Sequence, residues 1–191
     1  MNRELTDRWP LASRWDAALT YEQFVQEAAA DHRGLWEAIH RLARVPDWAV
    51  EQVAALPGHY RVVVLAEDWC GDAVNTVPVL AKWAAAAPNL ALRVLRRDEH
   101  PEVMDRYLTN GTARAIPVVI GLTEAMRELG WWGPRPRELQ AYVLEQRRLG
   151  REKTTIYAET RRWYARDKGE TTLREVLAVM EGARHTQGVT A

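Results

Sequence analysis

Apolar runs of strand length alternate along this chain with segments whose apolar residues recur at helical spacing. Arg61-Val62-Val63-Val64-Leu65 is a short β-branched run, and Ala73, Val74, Val77, Leu80, Ala81 and Ala84 follow it with helical period. Pro78 falls inside that helix, where a lost hydrogen bond costs about 3 kcal/mol and predicts a kink. Pro88-Asn89 stops the helix, and residues 90–95 alternate as a second strand. Asp98-Glu99-His100-Pro101 opens a short helix that Asn110-Gly111 closes, and residues 118–122 and 126–131 pair as a hairpin across Thr123-Glu124-Ala125.

Helical patterns flank these elements on both sides. Thr20-Tyr21-Glu22-Gln23 reads as a capping box ahead of Phe24, Val25, Ala28 and Ala29; Leu35, Trp36, Ile39 and Leu42 continue the period, with Gly34 expected to separate two helices. Pro46-Asp47 opens a further helix through Trp48, Val50, Val53 and Ala54 that stops at Pro57-Gly58. Pro136 fits the first turn of a helix over residues 137–149 that ends at Gly150. Ile156, Tyr157, Thr160, Trp163 and Tyr164 form another, broken by Asp167-Lys168-Gly169, and Thr172-Leu173-Arg174-Glu175 reads as a second capping box for a helix to about residue 180. Residues 1–19, with Trp9 and Trp15, read as an arm that packs its aromatics on the body, and residues 182–191 as a frayed tail.

Composition narrows this picture. A chain of 191 residues buries one substantial core, so the expected organisation is a helical extension over 1–59, a core over 60–149 and a C-terminal helical extension with tail over 150–191. Lys and Arg number 26, as do Asp and Glu, so there is no basic surplus for nucleic acid or an anionic membrane. Arg96-Arg97 and Arg161-Arg162 are too short to make a basic patch. No apolar run approaches the ~18 residues of a membrane span, and the N-terminus lacks an apolar signal core, so a cytoplasmic location is expected. One cysteine excludes an internal disulfide and a Cys-rich metal site, and the five histidines show no ligand spacing; neither metal nor cofactor is expected.

That cysteine, Cys70, stands where a strand turns into a helix, in Glu67-Asp68-Trp69-Cys70-Gly71-Asp72. Its polar neighbours do not suit a sealed core, which favours a functional thiol over a packing one. Unpaired N–H groups and the positive end of the helix dipole favour thiolate there, whereas Asp68 and Asp72 oppose it. The expectation is a Cys70 that titrates below a free cysteine.

Trp69-Cys70-Gly71 after a Val-rich strand, Pro78 eight residues on, and Arg114-Ala115-Ile116-Pro117 before Val118-Val119-Ile120 together resemble the thioredoxin superfamily over roughly residues 61–149. The Glu-Asp-Trp-Cys-Gly-Asp segment is similar, more narrowly, to a bacterial branch with a helical N-terminal extension. The resemblance implies an α/β thioredoxin-like fold, a central mixed β-sheet flanked by helices, with the thiol in a shallow groove faced by a cis-proline at Pro117. Ile116 would then offer its backbone to an extended substrate, Gly133 would match the third wall of the groove, and Trp69 and Trp132 would flank Cys70. Family members that use two thiols have the second at the position of Ala73, and a buried acid that activates it at the position of Val64. A native monothiol site and a laboratory Cys-to-Ala replacement both leave this pattern; the joint loss of thiol and acid favours the first.

These residues support a monothiol redox protein. Cys70 would exchange with a protein disulfide or a low-molecular-weight thiol, and an external thiol would finish the cycle. Gly71 would let the incoming sulfur approach, the N–H groups near Asp72 and Ala73 would stabilise the thiolate, and Arg114 and Arg135 are candidates to hold a carboxylate. The alternative from another class is a redox-inactive groove that binds a peptide or partner protein. An iron-sulfur carrier of the monothiol glutaredoxin kind ranks third, because the Cys-Gly-Phe-Ser motif is absent. The terminal helices cover the sheet or, less simply, provide a homodimer surface.

Overall fold

β1 (Tyr60–Ala66) lies at the centre of a four-stranded sheet, and the chain is organised outward from it. The computed structural model describes residues 11–182, so Trp9 and the tail beyond Gly182 lie outside the described residues. β1 pairs in parallel with β2 (Leu90–Arg96) and antiparallel with β3 (Val118–Thr123), which pairs in turn with β4 (Glu128–Trp132), giving the order β2-β1-β3-β4. A strand with neighbours on both edges and layers on both faces has no solvated side. Val62 through Ala66 are accordingly all buried, which is why the run is uniformly apolar.

A parallel pair needs a crossover, and α5 (Gly71–Ala86) supplies it. Pro78 is buried inside α5, which runs unbroken through it. Before the sheet come α1 (Leu11–Trp15), α2 (Tyr21–Gln26), α3 (Ala30–Leu42) and α4 (Asp47–Ala54). After β2 come a 3-10 turn (Arg97–Glu99) and α6 (Pro101–Met104), and after β4 come α7 (Arg137–Arg148), α8 (Lys153–Asp167) and α9 (Glu170–Met180). Thr20 caps α2 with the reciprocal Gln23 bond its sequence predicts.

Three helix boundaries differ from the sequence reading, one of them that of α6, which ends at Met104 and gives way to turns well before Asn110-Gly111. Gly34 does not separate helices; α3 passes through it, and the break falls at residues 27–29 instead. A helical glycine costs only about 1 kcal/mol, and the buried Trp36 two residues on anchors α3 by donating its indole N–H to the Asp68 carbonyl at 2.8 Å. Likewise Thr172 is not a cap. It is fully buried inside α9, which starts at Glu170 after Gly169 (φ 84°), while the Asp167 carboxylate accepts the Thr171 N–H and hydroxyl.

One hydrophobic core takes in residues from Trp15 to Met180. The N-terminal helices are fixed to it by specific bonds: Trp83 of α5 donates to the Ala49 carbonyl at 2.8 Å, and Asn89 donates to the Val53 carbonyl at 2.8 Å. Leu19 bridges to Val94 of β2. At the other end of the sheet α9 packs on β3 and β4, whereas α7 and α8 pack on each other around Leu139, Val143, Ile156 and Tyr164. The helix that covers β3 and β4 is therefore the last in the described chain, and the α7–α8 pair stands beside the core.

Gly133 shows how closely the loops pack. With φ 137°, a Cβ there would lie 2.1 Å from the Pro117 carbonyl oxygen, whereas a Cβ on Gly71 meets nothing within 4 Å. Gly133→Ala is expected to cost more than about 3 kcal/mol and Gly71→Ala less than about 0.5 kcal/mol, both read as shifts of the urea midpoint.

Candidate functional site

The end of β1, the first turn of α5 and the loop before β3 converge on Cys70. Cys70 is the N-cap of α5, in extended conformation (φ −80°, ψ 114°), and its backbone N–H donates to the Glu67 carbonyl at 3.1 Å. The thiol donates to the Ile116 carbonyl at 3.4 Å, and the Ile116–Pro117 peptide is cis. The loop assigned to face the thiol thus does so. A second cis peptide, Gly133–Pro134, was not anticipated from the sequence.

The two aspartates bracketing Cys70 are held from opposite ends of the chain. Asp68 accepts the Ala29 N–H at 2.7 Å and lies 3.5 Å from His32 Nδ1. Burial alone would raise its carboxyl, but the Ala29 bond and His32 outweigh this and hold it below the ordinary range. Asp72 receives Arg135 in a bidentate pair, with Nε 2.8 Å from Oδ1, and the Tyr164 hydroxyl of α8 at 3.1 Å. Burial raises the Asp72 carboxyl, and Arg135 and Tyr164 pull against this without reversing it. Every contact it makes is with a donor, the arrangement of an ionised carboxylate.

Cys70 itself is only 8% exposed. Burial pushes its thiol up, and the Asp72 carboxylate adds to this; the Ala73 and Asp72 N–H bonds and Arg135 work in the other direction without reversing it. The expectation of a depressed thiol is therefore overturned. Desolvation of the thiolate exceeds what the helix N-terminus returns. Ala73 is fully buried and puts a methyl group where a resolving sulfur would stand, and Val64 is sealed within the sheet between Val94 and Val119.

The thiol opens on a cavity of about 450 Å³. Of the residues assigned to the site, Trp69, Cys70, Gly71, Asp72, Arg114, Ile116 and Arg135 line it. Trp132 does not: it is 1% exposed and turned toward α9, its indole N–H donating to Glu175 at 2.6 Å. Successive β4 residues point to opposite faces, so it is Trp131 that meets Tyr107 on the other side. Only Trp69, 52% exposed with the Arg97 guanidinium 5.1 Å above its ring, flanks the thiol. Pro117 and Gly133 are buried against each other behind the lining.

Several lining residues escaped the sequence reading. Asn75, Arg97, Ala115 and three residues of α8, Tyr157, Thr160 and Arg161, complete the cavity. The helical period of α8 was readable, but nothing local says that its surface meets a turn some ninety residues earlier. Glu67 was also missed. It is buried, accepts the Asp98 N–H at 2.8 Å, and has its carboxyl raised chiefly by that burial. Among the described residues no cluster of three or more His, Cys, Asp or Glu could hold a metal, and no helix is long and apolar enough to cross a membrane.

A mixed sheet of order β2-β1-β3-β4, a cysteine capping the crossover helix and a cis-proline loop against its sulfur define a protein of thioredoxin-like fold. A family model described as thioredoxin matches residues 18–155, and the chain belongs to that family. Among solved structures it is similar to a protein of unknown function from Pseudomonas aeruginosa, at 23% identity and a TM-score of 0.70, over 90% of this chain and 97% of that one. An HIV epitope scaffold is similar at 23% identity and a TM-score of 0.68, over the same shares of 90% and 97%. At this identity the likeness speaks for the fold alone. No curated protein matches the chain.

The raised thiol has a measurable consequence. The alkylation rate of Cys70 by iodoacetamide is expected to rise with pH to an inflection above that of a free cysteine, about 8.5. Asp72→Asn removes the carboxylate that opposes the thiolate and is expected to speed alkylation at pH 7 about threefold. Because the folded thiol titrates above the unfolded one, its contribution to stability is complete below the unfolded value and is lost as pH rises through the folded one. Wild type is therefore expected to lose stability on alkaline titration in that window relative to Cys70→Ala, as followed by urea unfolding.

Proposed function

We propose that this is a monothiol redox protein, in which Cys70 forms and releases mixed disulfides without a second cysteine in the chain. The observation that carries the reading is the placement of the sulfur: at the N-cap of α5, on the wall of a cavity of about 450 Å³, 3.4 Å from the carbonyl that precedes the cis-proline. In the first step Cys70 thiolate attacks one sulfur of a disulfide. A new S–S bond forms, the old one breaks, the partner leaves as thiolate, and the Cys70 proton goes to solvent. A free thiol from outside then attacks the mixed disulfide and restores Cys70.

A raised thiol slows this chemistry less than the loss of thiolate suggests. Each unit above ambient pH lowers the thiolate fraction about tenfold, but the more basic thiolate is about threefold more nucleophilic, so the net rate falls only about threefold. Such a thiol rests protonated, its S–H bonded to Ile116, and exchanges slowly. Ala73 and Val64 fit one-thiol exchange, since there is no second sulfur to activate.

The same buried thiol favours the second reading, a redox-inactive cavity that binds a partner. The two diverge in one measurement. On incubation with a small disulfide at pH 8, intact-mass analysis is expected to show one adduct per chain on wild type, none on Cys70→Ser, and its removal by excess free thiol. A wild type that stays unmodified over hours, while ligand or partner binding is unaffected by Cys70→Ser, overturns the redox reading in favour of the binding one.

A further inference from the structure

The cavity wall carries four arginines, Arg97, Arg114, Arg135 and Arg161, against a single acid, Asp72. Arg135 is spent on Asp72, bidentately and nearly out of solvent, with 11% and 13% of the two side chains exposed. Arg114 pairs with Asp105, the two side chains 54% and 49% exposed, and a surface pair of this kind yields readily to a competing anion; Arg97, 19% exposed, pairs with the exposed Asp98 and donates to the Arg114 carbonyl. Arg161 is exposed on α8 and, among the described residues, pairs with no carboxylate. The arginines expected from sequence to bind a carboxylate, Arg114 and Arg135, are thus both engaged, and the lining arginine with no carboxylate partner among the described residues comes from α8.

The shape of the site points the same way. α8 supplies Tyr157, Thr160 and Arg161 to one wall, so the thiol faces a bounded cavity in place of the open shallow groove suited to an extended chain. About 450 Å³ is in the range of a small-molecule site. α8 is held there by its own contacts, since the Tyr164 hydroxyl bonds Asp72 and Tyr164 belongs to the α7–α8 cluster.

Resting on the exchange reading above, we infer that the disulfide partner of Cys70 is a small anionic thiol compound, carrying one or more carboxylates and not a folded protein, and that Arg161 selects for its charge. The sulfur sits at Cys70, and the carboxylate lies toward Arg161, with Arg97 and Arg114 adding positive potential. The exchange balances as Cys70–SH plus a disulfide RSSR giving Cys70–S–SR plus RSH. A second molecule of the thiol RSH reverses it.

The test compares glutathione disulfide, which carries carboxylates, with cystamine, which carries ammonium groups around the same reactive bond. Adduct formation on the full chain is followed by intact mass at low salt. Glutathione disulfide is expected to react about tenfold faster than cystamine, with the ratio shrinking as salt is added. Arg161→Gln, a change at an exposed position outside the core, is expected to slow glutathione disulfide about fivefold and not to slow cystamine, whose ammonium groups lose a repelling charge. Equal rates for the two disulfides, or an Arg161→Gln protein that keeps the wild-type ratio, overturn the anion selectivity and leave the exchange reading standing. An absence of adduct from either disulfide overturns the exchange reading and this inference with it.

Discussion

The geometry of this molecule depends on holding one turn, Asp68 to Asp72, from both ends of the chain. Asp68 is bonded to Ala29 at the start of α3 and lies beside His32, and Trp36 of the same helix donates to the Asp68 carbonyl. Asp72 is bonded to Arg135 ahead of α7 and to Tyr164 of α8. Between them Cys70 has little freedom to move. Each carboxylate is largely removed from water and satisfied by donors, so breaking either set would leave a partly buried charge uncompensated, which is what makes such contacts restrictive. The terminal helices therefore do more than cover the sheet. They decide where the sulfur sits and what it faces.

The same arrangement explains why the thiol behaves differently from its position in the chain. A helix N-terminus favours the anion, and the Ala73 and Asp72 N–H groups are in place to do so. Three other consequences of the fold oppose it: burial at 8% exposure, the Asp72 carboxylate, and an S–H donated to the Ile116 carbonyl that favours the protonated form. The Ala73 N–H helps the thiolate most, and Arg135, occupied by Asp72, adds less. The result is a guarded sulfur, closer to a slow exchanger than to a fast nucleophile.

Much of the architecture was readable because it is set by local pattern. The β1 run, the helical spacing after Cys70, the alternation of β2, the hairpin and the capping box at Thr20 all appear where their residues place them. The errors occur where one residue has two uses. Thr172 has the right neighbours for a cap but is needed in the core, Gly34 is a weak breaker overridden by Trp36, and Trp132 is one residue out of phase with the cavity. In the first two cases contacts far away in sequence outweigh a local preference of about 1 kcal/mol, and in the third the alternation of β4 turns the side chain to the face that α9 covers.

The chain's own order of residues determined the strands, the crossover helix and the single cysteine at its cap, because period, turn chemistry and capping act between near neighbours; the mixed sheet and the proline loop beside the thiol were legible only through the family resemblance. Tertiary structure alone decided that α9 covers β3 and β4, that α8 comes to the thiol with Arg161, and that burial raises the sulfur's pKa. Those outcomes depend on which surfaces meet and how much water they exclude, and neither quantity is written in any short stretch of sequence.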